Sequence, residues 1–238
     1  MIPDLSLSAI RISIEGSLKR LKTDHIDLYY QHRIDPKVLA EEVAELMSRL
    51  IKEGKILHWG VSEVDEDYIR KAHEVCPFTS IENRYSMMAR WYEKLFPVLE
   101  ELNIGFVAYS PLANGFLTDR YTSDSKFDSK DDYRANMPQY TEEGFETNRQ
   151  LLELIRNLAE EKHATPALIS LAWMLCKKPY IVPIPGTRNS ERLKENFESS
   201  EIELSREEIS DIDRLLDKIP RSKVYGERLY AKTVILER

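Results

Sequence analysis

Cysteine is nearly absent from this sequence, and its scarcity excludes two classes of small, cross-linked protein. Only Cys76 and Cys176 occur in 238 residues, and they lie far apart. A disulfide framework needs a larger even set of cysteines, and a structural zinc site needs Cys and His ligands at short spacing. We therefore expect two inert, buried thiols and no metal site.

Long apolar runs and an excess of positive charge are also missing. No uninterrupted apolar stretch approaches the ~20 residues that span a bilayer, and the first residues lack the order of a signal peptide. The 34 Lys and Arg are outnumbered by 41 Asp and Glu, for a formal net charge of -7. Because nucleic-acid binding needs clustered basic residues, we expect a soluble, cytoplasmic protein without nucleic-acid or membrane partners.

The glycine-rich signature G-x-G-x-x-G is absent among only 8 glycines. That signature forms the phosphate-binding turn of the dinucleotide-binding βαβ fold. A dinucleotide bound by this chain is therefore held in another way, which argues against an open Rossmann-type sheet.

Short β-type runs alternate with amphipathic helical stretches along the chain. The predicted strands are Ile26–His32, Ile56–Ser62, Thr79–Ser86, Ile104–Ser110 and Ile181–Pro185. The predicted helices are Ser8–Leu21, Val38–Lys52, Asp65–Val75, Met88–Leu102, Leu151–Lys162, Pro166–Cys176, Ser190–Phe197 and Arg206–Leu216. This alternation is typical of an α/β protein with a parallel sheet. We predict one domain over residues 1–238, with a polar C-terminal tail at 220–238.

Two features leave alternatives open. The segment from Pro111 to about Glu146 has little apolar periodicity, which predicts either a lid over a site or a solvated surface insertion. Five strands predict either an open five-stranded sheet or a closed barrel from which the first three strands are missing.

Polar and aromatic residues concentrate where the predicted strands end. They are Gln31, His32, Arg33, Ser62, Glu63, Asn83, Tyr85, Ser86, Tyr109, Ser110, Pro111, Gly186, Thr187 and Arg188. Ligands of parallel α/β folds bind beyond the carboxyl ends of the strands. The pattern therefore predicts a ligand site at this edge, without naming a reaction.

Five motifs at these strand ends carry a family resemblance. In chain order they read IDLYYQH, HWGVSE, IENRYS, AYSPL and IPGTRNSERLKEN. From about Asp4 to Asp217 the chain resembles the second half of an aldo-keto reductase. The resemblance implies a TIM-type (β/α)₈ barrel, here incomplete with about five parallel strands matching the family's fourth to eighth. It also implies NADP(H) as cofactor, a small-molecule carbonyl substrate and metal-free reduction.

The resemblance assigns roles around the reacting end of the cofactor. His32 matches the catalytic histidine, whose neutral imidazole polarises the substrate carbonyl. Tyr109 matches the aromatic ring that stacks on the nicotinamide. Ser62, Glu82 and Asn83 match the side chains that bind the carboxamide, although the family commonly has Gln where Glu82 stands.

The segment Gly186–Asn196 predicts an anion site from its own residues. A helix begins just after a strand, so free N–H groups and a positive dipole end face an anion, with guanidinium groups nearby. By resemblance, Thr187, Arg188 and Arg192 hold the 2′-phosphate of NADP(H), although many relatives carry Lys where Gly186 stands. The resemblance also places Glu195 and Asn196 at the adenine, and Ser110, Leu112, Asn114 and Gly115 along the cofactor.

The family's proton-donating tyrosine, with its lysine and aspartate, comes from units that precede the matched region. No Asp, Tyr and Lys set in this sequence matches their motifs. Because general-acid catalysis contributes about 10²–10⁴ in rate, we expect weak nucleotide binding and negligible carbonyl reduction from a truncated chain. The alternative is a non-catalytic partial barrel with a nucleotide-binding or oligomerisation role. Exposed sheet edges predict a homo-oligomer.

Overall fold

The structure, a computed structural model, describes residues 3–128 and 130–224. The strands are β1 (Ile26–Gln31), β2 (Ile56–Ser62), β3 (Ser80–Arg84), β4 (Gly105–Tyr109) and β5 (Ile181–Pro183). The helices are α1 (Leu7–Leu21), α2 (Ala40–Lys52), α3 (Glu66–Val75), α4 (Phe96–Leu102), α5 (Glu142–Thr147), α6 (Arg149–Glu161), α7 (Pro166–Lys177), α8 (Ser190–Glu198) and α9 (Arg206–Lys218). All five predicted strands are confirmed, with ends shifted by two residues or fewer.

The strands form one sheet in the order β1-β2-β3-β4-β5. β1 pairs in parallel with β2, from Ile26 opposite Ile56 to Gln31 opposite Val61. β2 pairs in parallel with β3, with Ser62 opposite Glu82. Because parallel strands in register end at the same edge, the polar residues that follow β1, β2 and β3 leave the sheet on one side.

Gly60 in β2 is required by a close approach. The hydroxyl groups of Tyr30 and Ser80 form a hydrogen bond of 2.6 Å across it. A Cβ at Gly60 would lie 2.5 Å from the Tyr30 ring and 2.7 Å from the carbonyl oxygen of Ser80. No other residue fits there without moving a strand, so this glycine fixes the spacing of the first three strands.

The chain divides into two compact units by its internal contacts. Unit 1 comprises Met1–Asn83 and Glu93–Val107, and unit 2 comprises Arg84–Tyr92 and Ala108–Arg238. In unit 1, α2 packs against α3 and β2. The apolar face of α2 explains this packing, because Val43, Met47 and Leu50 recur at helical spacing and are fully buried.

Unit 2 is built around α7, which packs against α6, α8, α9 and β5. Every residue from Ala167 to Met174 is buried, as expected for a helix that is apolar on all sides. Trp173 of α7 stacks on Tyr85 with ring centroids 5.3 Å apart. Its indole N–H also donates to the Asp213 carboxylate of α9 at 3.0 Å, which orients the two helices.

Three helices begin at the predicted residue, and each start has a side-chain cap. Thr165 and Asn189 accept hydrogen bonds from the first turns of α7 and α8. Ser205 and Glu208 form a capping box at the start of α9. Short polar side chains at these positions hydrogen-bond N–H groups that the helix leaves unpaired, so the sequence placed three helix starts to the residue.

The predicted helix Met88–Leu102 is wrong over its first half. The helix α4 begins only at Phe96, after a 3₁₀ turn at Glu93–Leu95. Ser86 explains the difference, because its carbonyl accepts the Ala89 N–H at 2.9 Å and its hydroxyl accepts the Met88 N–H at 3.2 Å. This local turn competes with helix formation, and the apolar residues that follow are buried without being helical.

The segment between Pro111 and Glu146 is largely ordered into short turns. It holds 3₁₀ turns at Ala113–Thr118, Tyr133–Asn136 and Pro138–Tyr140, followed by α5. The single-domain prediction for 1–238 stays a prediction. In the predicted tail, residues 220–224 carry neither helix nor strand, and residues 225–238 lie outside the described residues.

Candidate functional site

The carboxyl ends of β1, β2 and β3 bring four of the predicted site residues into unit 1. His32 follows β1 directly, Ser62 ends β2, and Glu82 and Asn83 lie near the end of β3. The register places Ser62 beside Glu82. Three of the four are thus close neighbours on adjacent strands.

Ser62 is hydrogen-bonded on two sides. Its hydroxyl donates to the carbonyl oxygen of Glu82 at 2.6 Å and accepts from the Arg33 guanidinium at 3.0 Å. A hydroxyl has one proton and two lone pairs. The proton is therefore committed and one lone pair remains, so Ser62 is arranged to accept a further hydrogen bond.

Asn83 presents the opposite chemistry. Its Oδ1 accepts the backbone N–H of Glu63 at 2.7 Å, and Glu63 has a left-handed backbone with φ 57°. The Asn83 side chain is fully buried, and its Nδ2 has no hydrogen-bond partner among residues 3–128 and 130–224. A buried donor without a partner costs about 1–3 kcal/mol, so this amide is suited to an acceptor supplied by a ligand.

His32 is exposed at the end of β1. The residue before it, Gln31, is buried and accepts the Tyr68 hydroxyl proton at 2.7 Å. Burial raises the pKa of Tyr68 to about 12, which keeps this hydroxyl a donor. Gln31 also donates to the carbonyl oxygen of Arg33 at 3.2 Å. The backbone on both sides of His32 is therefore fixed while its imidazole faces solvent.

In unit 2, β4 ends in a strained turn. Tyr109 closes the strand, Ser110 follows with φ 52°, and Asn114 and Gly115 have φ 61° and 94°. Left-handed backbone at a non-glycine residue costs roughly 1–2 kcal/mol. Such strain concentrates where a loop must present its backbone to a ligand, and these residues are the ones that the resemblance places along the cofactor.

Aromatic side chains of the following loop, Tyr121 and Tyr140, contact this turn. The Tyr140 hydroxyl donates to the carbonyl oxygen of Asn114 at 3.0 Å, and a Cβ at Gly115 would lie 3.3 Å from the Tyr121 ring. The Arg134 guanidinium lies 4.9 Å from the Tyr121 ring centroid and donates to its hydroxyl at 2.6 Å. Asp132 pairs with Arg134, which lowers the pKa of that carboxyl.

The predicted anion site after β5 differs from expectation in one respect. The Asn189 side chain accepts the N–H groups of Glu191 and Arg192 at 2.9 and 3.1 Å. These two N–H groups were expected to be free, and the N-cap takes them instead. The helix dipole and the arginine side chains remain, so any anion binding here depends on guanidinium groups more than on backbone donors.

The remaining predicted residues of this segment are accessible. Gly186, Arg188 and Arg192 are exposed, and a Cβ at Gly186 would meet nothing within 4 Å. Thr187 accepts the Asn189 N–H at 3.1 Å. The Glu195 carboxylate accepts the Thr165 hydroxyl proton at 2.7 Å, and Asn196 is half-buried. Glu195 is thus held against the start of α7.

Two arginines with contacts at the site received no role from the sequence. Arg33 is hydrogen-bonded to Ser62, and the Arg84 guanidinium lies 5.0 Å from the centroid of the Tyr109 ring. A signal was available for Arg84, because a charged residue stands in the otherwise uncharged stretch after Glu82. Its partner could not be read from the sequence, since the contact joins different strands.

Neither a metal-binding cluster nor a membrane-spanning helix occurs in residues 3–128 and 130–224. Within these ranges no three His, Cys, Asp or Glu side chains cluster in a way that would hold a metal ion. No helix there has the length and apolar character needed to cross a bilayer.

Each unit thus carries polar and aromatic residues suited to a ligand at its own strand ends, and comparison with known proteins identifies the family. The model of the aldo/keto reductase family matches residues 1–217. The chain therefore belongs to the aldo-keto reductase family, as the strand-end motifs indicated.

Two curated relatives show how much of a family member is represented. "Probable aldo-keto reductase 1" of Glycine max is 35% identical over 233 residues, covering 96% of this chain and 66% of that protein. "Aldo-keto reductase str7" of Strobilurus tenacellus is 35% identical over 216 residues, covering 89% and 63%. The chain thus spans just under two thirds of the length of these relatives.

Solved structures show the same fold. The glycerol dehydrogenase from Gluconobacter oxydans superposes with a TM-score of 0.83 at 28% identity, covering 91% of this chain and 66% of that one. A thermostable aldo-keto reductase solved with the inhibitor epalrestat gives a TM-score of 0.69 at 29% identity, covering 89% and 67%. The predicted fold class, an incomplete (β/α)₈-type barrel of about five parallel strands, is confirmed.

Proposed function

We propose that this chain carries the NADP(H)-binding and carbonyl-polarising part of a reductase that acts on small-molecule carbonyl compounds. The observation that carries the proposal is the pairing of a spare acceptor with a spare donor on adjacent strands. Ser62 keeps a lone pair free, and Asn83 keeps a buried N–H donor without a partner. A carboxamide has both an NH₂ group and a carbonyl oxygen, so it complements this pair.

Each unit contributes its own part of the proposed function. In unit 1, Ser62 and Asn83 orient the carboxamide, Glu82 accepts from its NH₂ group, and His32 donates a hydrogen bond to the substrate carbonyl. In unit 2, Tyr109 stacks on the nicotinamide ring, and Ser110, Leu112 and Gly115 lie along the pyrophosphate. Bound NADPH would supply the hydride.

The adenosine end is assigned to the segment after β5. Gly186 leaves space for the 2′-phosphate, Thr187, Arg188 and Arg192 bind it, and Glu195 and Asn196 flank the adenine. Exposed guanidinium groups support this assignment, because arginine forms bidentate hydrogen bonds with phosphate. The 2′-phosphate is the group that separates NADPH from NADH.

Direct binding measurements test the cofactor. We expect the chain to bind NADPH. The double substitution Arg188→Ala with Arg192→Ala should lower the affinity for NADPH about ten- to a hundredfold and leave the affinity for NADH unchanged. Adenosine 2′,5′-bisphosphate shows the same loss, since it carries the 2′-phosphate without nicotinamide. Arg206→Ala, at the exposed start of α9, is the matched control and leaves both affinities unchanged. An equal loss for NADPH and NADH would contradict the assignment.

We further propose that the 238-residue chain alone reduces carbonyls negligibly, because no Asp, Tyr and Lys set in its sequence matches the motifs of the family's proton donor. The purified chain, mixed with NADPH and a panel of aldehydes and ketones, should give no carbonyl-dependent NADPH consumption. Turnover that disappears in His32→Ala would overturn this impairment while supporting the reductase assignment. NADPH binding without turnover fits the alternative role, a non-catalytic partial barrel that binds nucleotide.

A further inference from the structure

Arg84 is a buried cation at the end of β3. Its residue is 7% exposed, and a guanidinium stays protonated at every physiological pH. A charge held this far from water is costly unless its surroundings stabilise it. Arg84 therefore places a permanent positive charge inside unit 2.

That charge lies over the ring of Tyr109. The guanidinium carbon is 5.0 Å from the ring centroid, within the ~6 Å range of a cation–π interaction. The backbones are held together as well, since the Tyr85 N–H donates to the Tyr109 carbonyl oxygen at 3.2 Å. The strand pairing thus keeps the cation on the aromatic face.

A ring that already carries a cation on one face responds differently to neutral and charged partners on the other. The negative face of the ring attracts cations, and a first cation weakens that attraction for a second and also repels it. A neutral ring does not suffer this penalty. The oxidised nicotinamide ring is a cation, whereas the reduced dihydronicotinamide ring is neutral.

We propose that Arg84 acts through Tyr109 as a positioning residue that makes the chain prefer the reduced cofactor to the oxidised one. The inference rests on the proposed function, because it requires the nicotinamide ring to stack on Tyr109. It adds a determinant that is independent of the 2′-phosphate, which both redox forms share. The preference favours loading of the reduced cofactor and release of the oxidised one, since the oxidised form is held less tightly.

The ratio of the dissociation constants of NADP⁺ and NADPH tests the proposal. Arg84→Met keeps an unbranched side chain and removes the charge, and it should lower this ratio by about three- to tenfold, mainly through tighter NADP⁺ binding. Arg84→Lys keeps a cation over the ring and should retain most of the ratio. Both constants are read by titration calorimetry or by quenching of protein fluorescence.

A matched control separates electrostatics from general destabilisation. Lys177 is another poorly exposed cation of unit 2, with its Nζ 4.5 Å from the Trp173 ring rather than against Tyr109. Lys177→Met should leave the ratio unchanged, even where it lowers stability. If Arg84→Met does not fold, Arg84→Gln removes the charge while keeping N–H donors.

The outcomes are distinguishable. An unchanged ratio in Arg84→Met, or an equal rise of both constants, overturns the role of Arg84 and leaves the proposed function intact. Failure of the unsubstituted chain to bind either form overturns the proposed function, and this inference with it.

Discussion

Ser110 shows how one residue can carry opposite effects on stability and binding. Its φ of 52° is strained for any residue with a Cβ, at roughly 1–2 kcal/mol, and glycine would relieve that strain at an entropic cost of about 0.5–1 kcal/mol. We expect Ser110→Gly to raise the free energy of unfolding by about 0.5–1 kcal/mol, as measured by urea denaturation.

Ser110→Ala separates the backbone from the hydroxyl. Alanine keeps the backbone strain, so Ser110→Ala should not raise the free energy of unfolding. Both variants remove the hydroxyl proposed to lie along the cofactor, so both should lower the affinity for NADPH by the same factor. A glycine variant no more stable than the alanine variant would show that the turn stores no strain.

At this scale the sequence predicted positions better than contacts. Polar and aromatic residues at the end of an apolar strand can be recognised in the sequence, so His32, Ser62 and Tyr109 could be predicted as site residues. The commitment of the Ser62 proton to Glu82 and the hydrogen bond from the Tyr68 hydroxyl to Gln31 could not. Both depend on which of several polar neighbours a side chain faces, and that is set by strand register and by the packing of helices on the sheet.

The first turn of α9 predicts a pH dependence. The Lys162 ammonium and the Ser205 backbone N–H lower the pKa of Glu208 from 4.5 to about 2. Because the pKa is lowered on folding, the stabilisation is complete above about pH 4.5 and disappears as the pH falls towards 2. Glu208→Gln should therefore lower the melting temperature at pH 7 and have no effect near pH 2.

Glu207→Gln is the control for that prediction. Glu207 is the exposed neighbour of Glu208 in the same helical turn, so it experiences the same helix dipole outside the capping box. Equal melting profiles for the two variants would mean that the capping box and its lysine contribute nothing. Salt should reduce the effect of Glu208→Gln, since its carboxylate is partly exposed.

Elements with strong periodicity were predictable, and the exception has a local cause. The helices α2, α6 and α9 have one apolar face each, and capped starts fix where α7, α8 and α9 begin. Residues 88–95 have similar apolar content, yet they follow the turn at Ser86. The spacing of apolar residues predicts which side chains are buried. It does not predict whether the backbone of a short segment is helical.

At the scale of the whole molecule, the edge of the sheet predicts self-association. Among the described residues β5 pairs only with β4. Val182 within β5 and Ile184 just after it are 54% and 45% exposed. Unpaired, apolar strand edges template association. We propose a homo-oligomer formed through this edge, visible as concentration-dependent sedimentation.

Lysine at the edge should abolish that behaviour. Val182→Lys with Ile184→Lys should sediment as a monomer at every concentration, because edge lysines oppose strand pairing. Leu215→Lys on α9 alters an equally exposed apolar residue, at 45%, and should leave association unchanged. A strictly monomeric parent chain would refute the edge contact.

The interleaving of the two units sets an order of events during synthesis. Residue 107 completes unit 1, while unit 2 starts earlier, at Arg84, and draws the rest of its residues from Ala108 onwards. Arg90 donates to the Asp213 carbonyl oxygen 123 residues later. At about 5–20 residues per second, the ribosome needs roughly 6–25 s to deliver that partner. The partners of this stretch are synthesised in stages, first Tyr109 for Arg84, then Trp173 for Tyr85 and last Asp213 for Arg90. Arg84–Tyr92 therefore reaches its final contacts only after α9 has been synthesised.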